Sequence, residues 1–328
     1  MTKSKTKLIK RITMAVAGML AALGVSIGVG NVIDSETSEN GNGTNVYQET
    51  TDKENPDKGT SDKNTGDNDS EQVSDSLEIH YMDVGQGDAT YIRCGDKTML
   101  IDSGDNSQGM NVRTYLEKQG VKHIDYVIGT HPDSDHIGGL DIVIYNFECG
   151  TILMPDERKD TKTYDDVIQT IKNKNYEITQ PKVGTTYSLG GASFTIIAPN
   201  ADYSDANNES IGILLEFGET AFLFTGDAEE EAEIDILKNG IDIHADVYKA
   251  GHHGSRTSSC EDFLAAIEPK AVVVSCGEDN SYGHPHAAIL NYCRMNGIPM
   301  YRTDMQGTIV AKSDGKAITW NMSPYEGY

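Results

Sequence analysis

Thr130-His131-Pro132-Asp133-Ser134-Asp135-His136-Ile137-Gly138-Gly139 decides how the rest of this chain is read. His131, Asp133, Asp135 and His136 are four metal-competent side chains within six consecutive positions. Residues 124–129 before them are mostly apolar and β-branched, the pattern of a buried strand. Gly138-Gly139 after them predicts a tight turn. The four side chains are therefore expected on a loop at a strand end, where a rigid sheet positions chemistry. Bare, such donors would repel one another. A divalent cation removes that cost, and imidazole and carboxylate are its ligands. An Asp-rich solvated turn is the alternative, but two bracketing histidines and a double glycine are foreign to a plain turn.

Three further stretches carry candidate chemistry. Asp227 follows an apolar strand at 221–224. A carboxylate there can bridge two metal ions, or it can cap the acidic helix read over 228–238. Gly251-His252-His253-Gly254-Ser255 follows the strand read over 245–250. One imidazole of the pair can ligate while the other donates to a reacting oxygen; the competing reading is an exposed turn. Tyr282-Gly283-His284-Pro285-His286 offers His284 either as a catalytic group or as part of a structural turn.

The elements around these stretches repeat one plan. Strands at 77–84, 89–94 and 98–102 are joined by short Gly and Asp turns, so an antiparallel or mixed sheet is expected. A helix at 111–119, the central strand and loop, a helix at 140–147, a strand at 151–154 and a helix at 164–171 follow. A second sheet-rich stretch begins at 193 and contains a hairpin, 211–217 with 221–224. Helix–strand units then lead to a helix at 287–295, a strand at 300–302 and two last strands at 307–311 and 317–320. The expectation is an α/β protein with two mixed sheets face to face and helices outside.

The N-terminal quarter is different. Lys3, Lys5, Lys7, Lys10 and Arg11 precede an uncharged apolar run over 12–33, long enough to span a bilayer. The basic flank at 1–11 is expected in the cytoplasm and everything after the run outside it. The run reads as a membrane anchor, with a cleaved signal peptide as the alternative. Residues 34–76 are acidic and polar with almost nothing to bury, the composition of a disordered spacer. Residues 77–328 are the folded part; they hold 19 Lys and Arg against 39 Asp and Glu, a net charge of −20. Such a field disfavours non-specific binding of polyanions. Five scattered cysteines without C-x-x-C spacing argue against a structural zinc cluster and leave one disulfide open. No protein partner can be read from the sequence.

Taken together, these stretches resemble one family. The central loop resembles the His-x-(His/Asp)-x-Asp-His signature of the metallo-β-lactamase superfamily. Met82-Asp83-Val84-Gly85-Gln86-Gly87-Asp88-Ala89 narrows the resemblance to one branch, the metallo-β-lactamase domain of the ComEC/Rec2 competence proteins and their stand-alone relatives. Leu223 to Asp227, Lys249 to Ser255 with Thr257, Ser258 and Ser259, and Asn280-Ser281-Tyr282-Gly283-His284-Pro285 match that branch in order. The resemblance implies a four-layer αββα sandwich and a metal-dependent phosphodiesterase acting outside the cytoplasmic membrane, with DNA as the suspected substrate. It implies His131, Asp133, Asp135, His136, Asp227 and His253 as ligands of one or two divalent ions, zinc or manganese. Asp135, His252 and His284 are the implied catalytic groups. Asp83, Gln86, Asp88 and Asp102 would shape the floor of the site. Two departures stand out: Asp133 replaces the histidine of many members, and no histidine lies between His136 and Asp227, where Asn207, Asn208 and Ser210 fall instead. Both favour a harder ion such as manganese. The alternatives are a hydrolase of small esters or lactones, and a non-enzymatic DNA-handling or surface-binding module.

Overall fold

The strand Leu77–Tyr81 (β1) shows how the layers arise. Leu77, Ile79 and Tyr81 enter a core made by both sheets, so the residues between them face the other way. A computed structural model describes residues 76–327. They belong to one compact unit, Asp69–Tyr328. The readings made for the basic flank, the apolar run and the spacer up to residue 75 lie outside the described residues. Among the described residues no helix is long and apolar enough to cross a membrane.

The first sheet continues with Thr90–Cys94 (β2) and Lys97–Ile101 (β3), each antiparallel to the strand before it. His123–Ile128 (β4), Glu148–Leu153 (β5) and Ile178–Thr179 (β6) then add in parallel. Helices Gly109–Lys118 (α1), Ser134–Ile137 (α2), Leu140–Asn146 (α3) and Lys162–Asn173 (α4) fill the connections. Val112, Leu116, Val143, Ile144, Val167 and Ile171 bury the long helices on the outer face of this sheet.

The second sheet begins as an antiparallel meander of Thr186–Leu189 (β7), Ala192–Ala198 (β8), Gly212–Phe217 (β9) and Thr220–Phe224 (β10). Val247–Lys249 (β11), Ala271–Val274 (β12) and Met300–Arg302 (β13) extend it in parallel. Helices Glu230–Lys238 (α5), Glu261–Ile267 (α6) and Ala287–Asn296 (α7) make the crossovers. Ile236, Phe263, Leu264, Ile289 and Cys293 pack them on its outer face. After a short helix, Thr303–Gln306 (α8), the strands Ile309–Ser313 (β14) and Ile318–Trp320 (β15) return to the first sheet, where β14 lies antiparallel to β1. The result is the expected αββα sandwich of two mixed sheets.

Sequence patterning misses the short β6 and β7 and the helix α8. Two or four residues carry too little periodicity to register. The central ligands also differ from the expected loop: Asp135 and His136 sit on α2, a single helical turn. Gly138 and Gly139 do not serve a turn, because their φ values of −58° and −92° are open to any residue. They serve close approach. A Cβ on Gly138 would lie 2.3 Å from the Ser134 carbonyl oxygen, and one on Gly139 would lie 2.6 Å from that of Ser103. Cys149, Cys260, Cys276 and Cys293 are free thiols, so no disulfide joins them.

Candidate metal centre

Strands β3, β4, β10, β11 and β12 each run out at the same edge of the sandwich. The chain just beyond their C-terminal ends supplies the candidate site, as is usual for parallel strands.

The first sheet contributes a wired half. Asp102, directly after β3, has a left-handed φ of 57°. Its carboxylate accepts from the Thr130 N–H at 2.8 Å, the Thr130 hydroxyl at 2.7 Å and His136 Nδ1 at 2.8 Å. The His136 ring is thus held from behind, with Nε2 turned forward. His131 Nδ1 lies 3.1 Å from the Thr130 hydroxyl and 3.3 Å from that of Ser210. Gly87 closes this half from below: a Cβ there would lie 2.3 Å from the Asp135 carbonyl oxygen.

The second sheet contributes Asp227 and the histidine pair. Asp227 does not cap α5, whose N-cap is Glu229 and has no side-chain cap bond. Its carboxylate instead faces four imidazoles. Oδ1 is 3.1 Å from His136 Nε2; Oδ2 is 3.4 Å from His253 Nε2, 3.6 Å from His252 Nε2 and 4.0 Å from His131 Nε2. His253 Nε2 is also 3.3 Å from Asp135 Oδ2. Behind the His253 ring, Nδ1 lies 3.1 Å from the Ser275 carbonyl oxygen and 3.3 Å from Asp88 Oδ1, and Asp88 pairs with the buried Lys249. His252 is held by Glu229, 3.2 Å from its Nδ1. Both histidines are left-handed, with φ of 48° and 55°, a backbone that costs free energy and persists here at the centre of the site.

The donor set fits a cation. His131 Nε2, His136 Nε2, His253 Nε2 and Asp227 Oδ1 are buried, and none has a hydrogen-bond partner although they crowd together. Four polar atoms left this way are costly unless something shared satisfies them. Burial disfavours charge on His136, yet Asp227 and Asp102 outweigh it and hold its pKa well above the usual histidine value. Burial likewise opposes charge on His253, and Asp227 and Asp88 overcome it. Burial also pushes Asp227 up, but these two imidazoliums hold it well below the carboxylate range. Both shifts report the same thing: the buried carboxylates of this cluster favour a positive charge among them, which a cation would supply. His131 goes the other way: burial and the His136 charge bring it down to about 4, the neutral ligand form.

Asp88, His136, Asp227 and His253 offer ligand atoms all within 4.8 Å of one another. We place Asp88 behind the rings and not among the ligands, because its oxygens address the Nδ1 atoms of His253 at 3.3 Å and His136 at 4.0 Å. Burial raises its pKa, and Lys249 with His253 outweighs burial and brings it down to about 2. Asp133 lines the cavity in front of the cluster, its carboxylate engaged by Lys159. His252, His284, Gln86 and Asn207 line the same cavity, of about 130 Å³. Burial and the neighbouring His253 and His252 bring His284 down to about 4. Of the residues standing where a mid-chain histidine would come, Asn207 reaches this cavity. Asn208 accepts from the Glu229 N–H at 2.9 Å, and the Ser210 hydroxyl accepts from the Asp227 N–H at 3.0 Å. Asp83 keeps to turn chemistry, accepting from the Gly85 N–H at 3.2 Å. The Asp88–Lys249 pair and the Glu229 contact carry no spacing signal, since each joins residues distant in sequence or ordinary in kind.

Comparison with known proteins agrees with this geometry. The sequence profile described as "Metallo-beta-lactamase superfamily" matches residues 82–278. The chain is 30% identical to "ComE operon protein 3" of Bacillus subtilis over 77% of its own length and 35% of the relative's. It is 30% identical to "Competence protein ComA" of Neisseria gonorrhoeae over 69% and 31%. It is 29% identical to "Recombination protein 2" of Haemophilus influenzae over 71% and 28%. The chain thus spans about a third of the length of the curated relatives it matches. The solved metallo-beta-lactamase fold protein YhfI of Bacillus subtilis superposes with a TM-score of 0.52 at 12% identity, covering 73% of this chain and 100% of YhfI. The fold, the buried His/Asp cluster and these relatives lead to one conclusion: the chain belongs to the metallo-beta-lactamase superfamily, and its folded part is similar to a portion of the competence proteins named above.

Proposed function

We propose that this protein is a phosphodiesterase, with DNA as a candidate substrate, that works outside the cytoplasmic membrane. The observation that carries the reading is Asp227, whose two oxygens face different imidazoles at the floor of one cavity. His131, His136, Asp135, Asp227 and His253 would hold the metal, with Asp133 beside them at the cavity wall. Bound divalent ions, zinc or manganese, supply a water of lowered pKa and a Lewis acid for the phosphoryl oxygen. The chain's own residues do the rest. Asp102 and Asp88 keep the ligand rings from turning. His252 Nε2 faces Asp227 while Glu229 holds Nδ1, an arrangement suited to carrying a proton at the cavity mouth. The neutral His284 ring offers an N–H to a phosphoryl oxygen. Two of the relatives carry "competence" and "recombination" in their names, which supports a nucleic-acid substrate.

A second reading, hydrolysis of small esters or lactones, is favoured by the absence of any Lys or Arg among the residues lining the metal cavity. A panel separates the two: bis-p-nitrophenyl phosphate, single-stranded and duplex DNA, RNA and a lactone, each with zinc or manganese and with chelator. Metal-dependent cleavage of the phosphodiesters is expected, and DNA should not bind in chelator because the protein is strongly acidic. Turnover of the lactone alone would transfer the assignment to the second reading. The basic flank and apolar run support export. Protease added to intact cells should remove the domain, and complete protection would contradict the placement.

A further inference from the structure

We propose that Tyr282 selects the substrate of this site by stacking on a nucleobase next to the scissile bond. The inference rests on the phosphodiesterase reading. Five large hydrophobic side chains are strongly exposed among the described residues, and Tyr282, 64% exposed, is the one that lines the metal cavity. Its ring is backed on one side by His284, at 5.5 Å between centroids and 18° from parallel. The open side is a flat aromatic face at the cavity mouth, and every base has a π-face to lay on it.

The ring is held on a fixed turn. Asn280 donates to the Gly277 carbonyl at 2.9 Å and the His284 carbonyl at 2.7 Å, and accepts from the His284 N–H at 2.9 Å. A platform on a tied turn loses little freedom when a ligand lands on it.

The surroundings exclude the usual means of gripping nucleic acid. One turn of 3-10 helix, Ala206–Glu209, borders three cavities: Asn207 lines the metal cavity, Glu209 a second and Asn208 a third. Asp156 and Asp202 join Glu209 in the second cavity; Glu229, Glu230 and Glu231 line the third. Arg256 is the only Lys or Arg among the residues lining the three. A polyanion reaching into these neighbouring cavities would meet carboxylates in each, so backbone charge supplies little of the affinity. Stacking next to the metal-bound phosphodiester supplies it instead. The favoured substrate is short, or the frayed end of a longer strand.

The test compares manganese-loaded wild type, Tyr282→Ala and Tyr282→Trp. The probes are a phosphorothioate-bridged thymidine dinucleotide and the same dinucleotide lacking both bases, titrated to equilibrium, with hydrolysis of the ordinary phosphodiesters followed in parallel. Tyr282→Ala should weaken the base-bearing probe about 5- to 150-fold and leave the abasic probe and the metal content unchanged. Tyr282→Trp should bind as well as wild type, and a long single strand should bind no more tightly than the dinucleotide. Equal weakening of both probes, or of neither, overturns the inference. If base-dependent binding is found without any hydrolysis, the phosphodiesterase reading fails while the stacking site stands. Hydrolysis without base dependence gives the reverse.

Discussion

His136 and His253 belong to one cluster, yet the fold holds them in opposite ways. His136 sits on a helical turn with ordinary backbone angles, and its Nδ1 is held by Asp102 of its own sheet. His253 sits in a left-handed backbone, and its Nδ1 faces Asp88, a residue of the other sheet. Asp88 in turn is paired with Lys249 at the end of β11. The His136 ring is thus held within one sheet, although His131 beside it also reaches Ser210 of the other. The hold on His253 is completed only when the two sheets meet, so closing the sandwich and forming the site are one event.

That contrast can be broken from its weak side. Lys249→Met takes the ammonium from the buried Asp88 and leaves it only the His253 ring, and should lower the unfolding free energy by up to about 3–5 kcal/mol. Removing Asp88 as well, in Lys249→Met with Asp88→Leu, should recover much of the loss in chemical denaturation. If the single variant is as stable as wild type, the pair does not tie the sheets.

Glu233 backs the histidine loop from α5, accepting from the Ser259 N–H at 2.5 Å and the Cys260 N–H at 2.9 Å. Burial raises its pKa from 4.5 to about 7. Between those values the unfolded chain releases a proton that the folded one keeps. Its contribution therefore weakens as pH rises through this window and is constant above it. Relative to Glu233→Gln, wild type should lose about 3 kcal/mol between pH 4 and pH 8. A pH-independent difference between the two unfolding curves would contradict this.

Metal affinity sharpens the comparison further. Asp102→Asn and Asp88→Asn should each weaken metal binding about 10- to 100-fold. Only Asp88→Asn should also lower the unfolding temperature of the metal-free protein beyond the loss at Asp102, because it alone breaks a bond between the sheets. The smallest effect is expected at Asp133→His, which should shift preference from manganese toward zinc without loss of fold. An unchanged zinc-to-manganese ratio would remove Asp133 from the ligand field.

Much of this was legible in the sequence. Period-two strands and amphipathic helices report burial directly, so both sheets and the helices between them could be drawn. The gathering of His131, Asp135, His136, Asp227 and the histidine pair was legible because each follows the end of a strand readable from its apolar pattern. What the sequence does not carry is what lies across the sandwich. Asp88 and Lys249 are 161 positions apart and look like a turn residue and a strand residue. A glycine pair reads as a turn because close backbone approach leaves the same residue in the sequence as a positive φ does. Nothing in the sequence sets Tyr282 apart, since sequence does not show which side of a ring is covered.

The central claim is a single metal centre spanning both sheets and joined by Asp227. Its most direct measurement is the metal content and the bis-p-nitrophenyl phosphate rate of wild type and Asp227→Ala after chelation and reloading with manganese or zinc. Wild type should bind metal again and recover its rate. Asp227→Ala should stay folded, bind little metal and remain inactive, because Asp227 partners the donor cluster at the sandwich edge and not the apolar core. An Asp227→Ala protein that regains both full metal content and full rate would contradict the account.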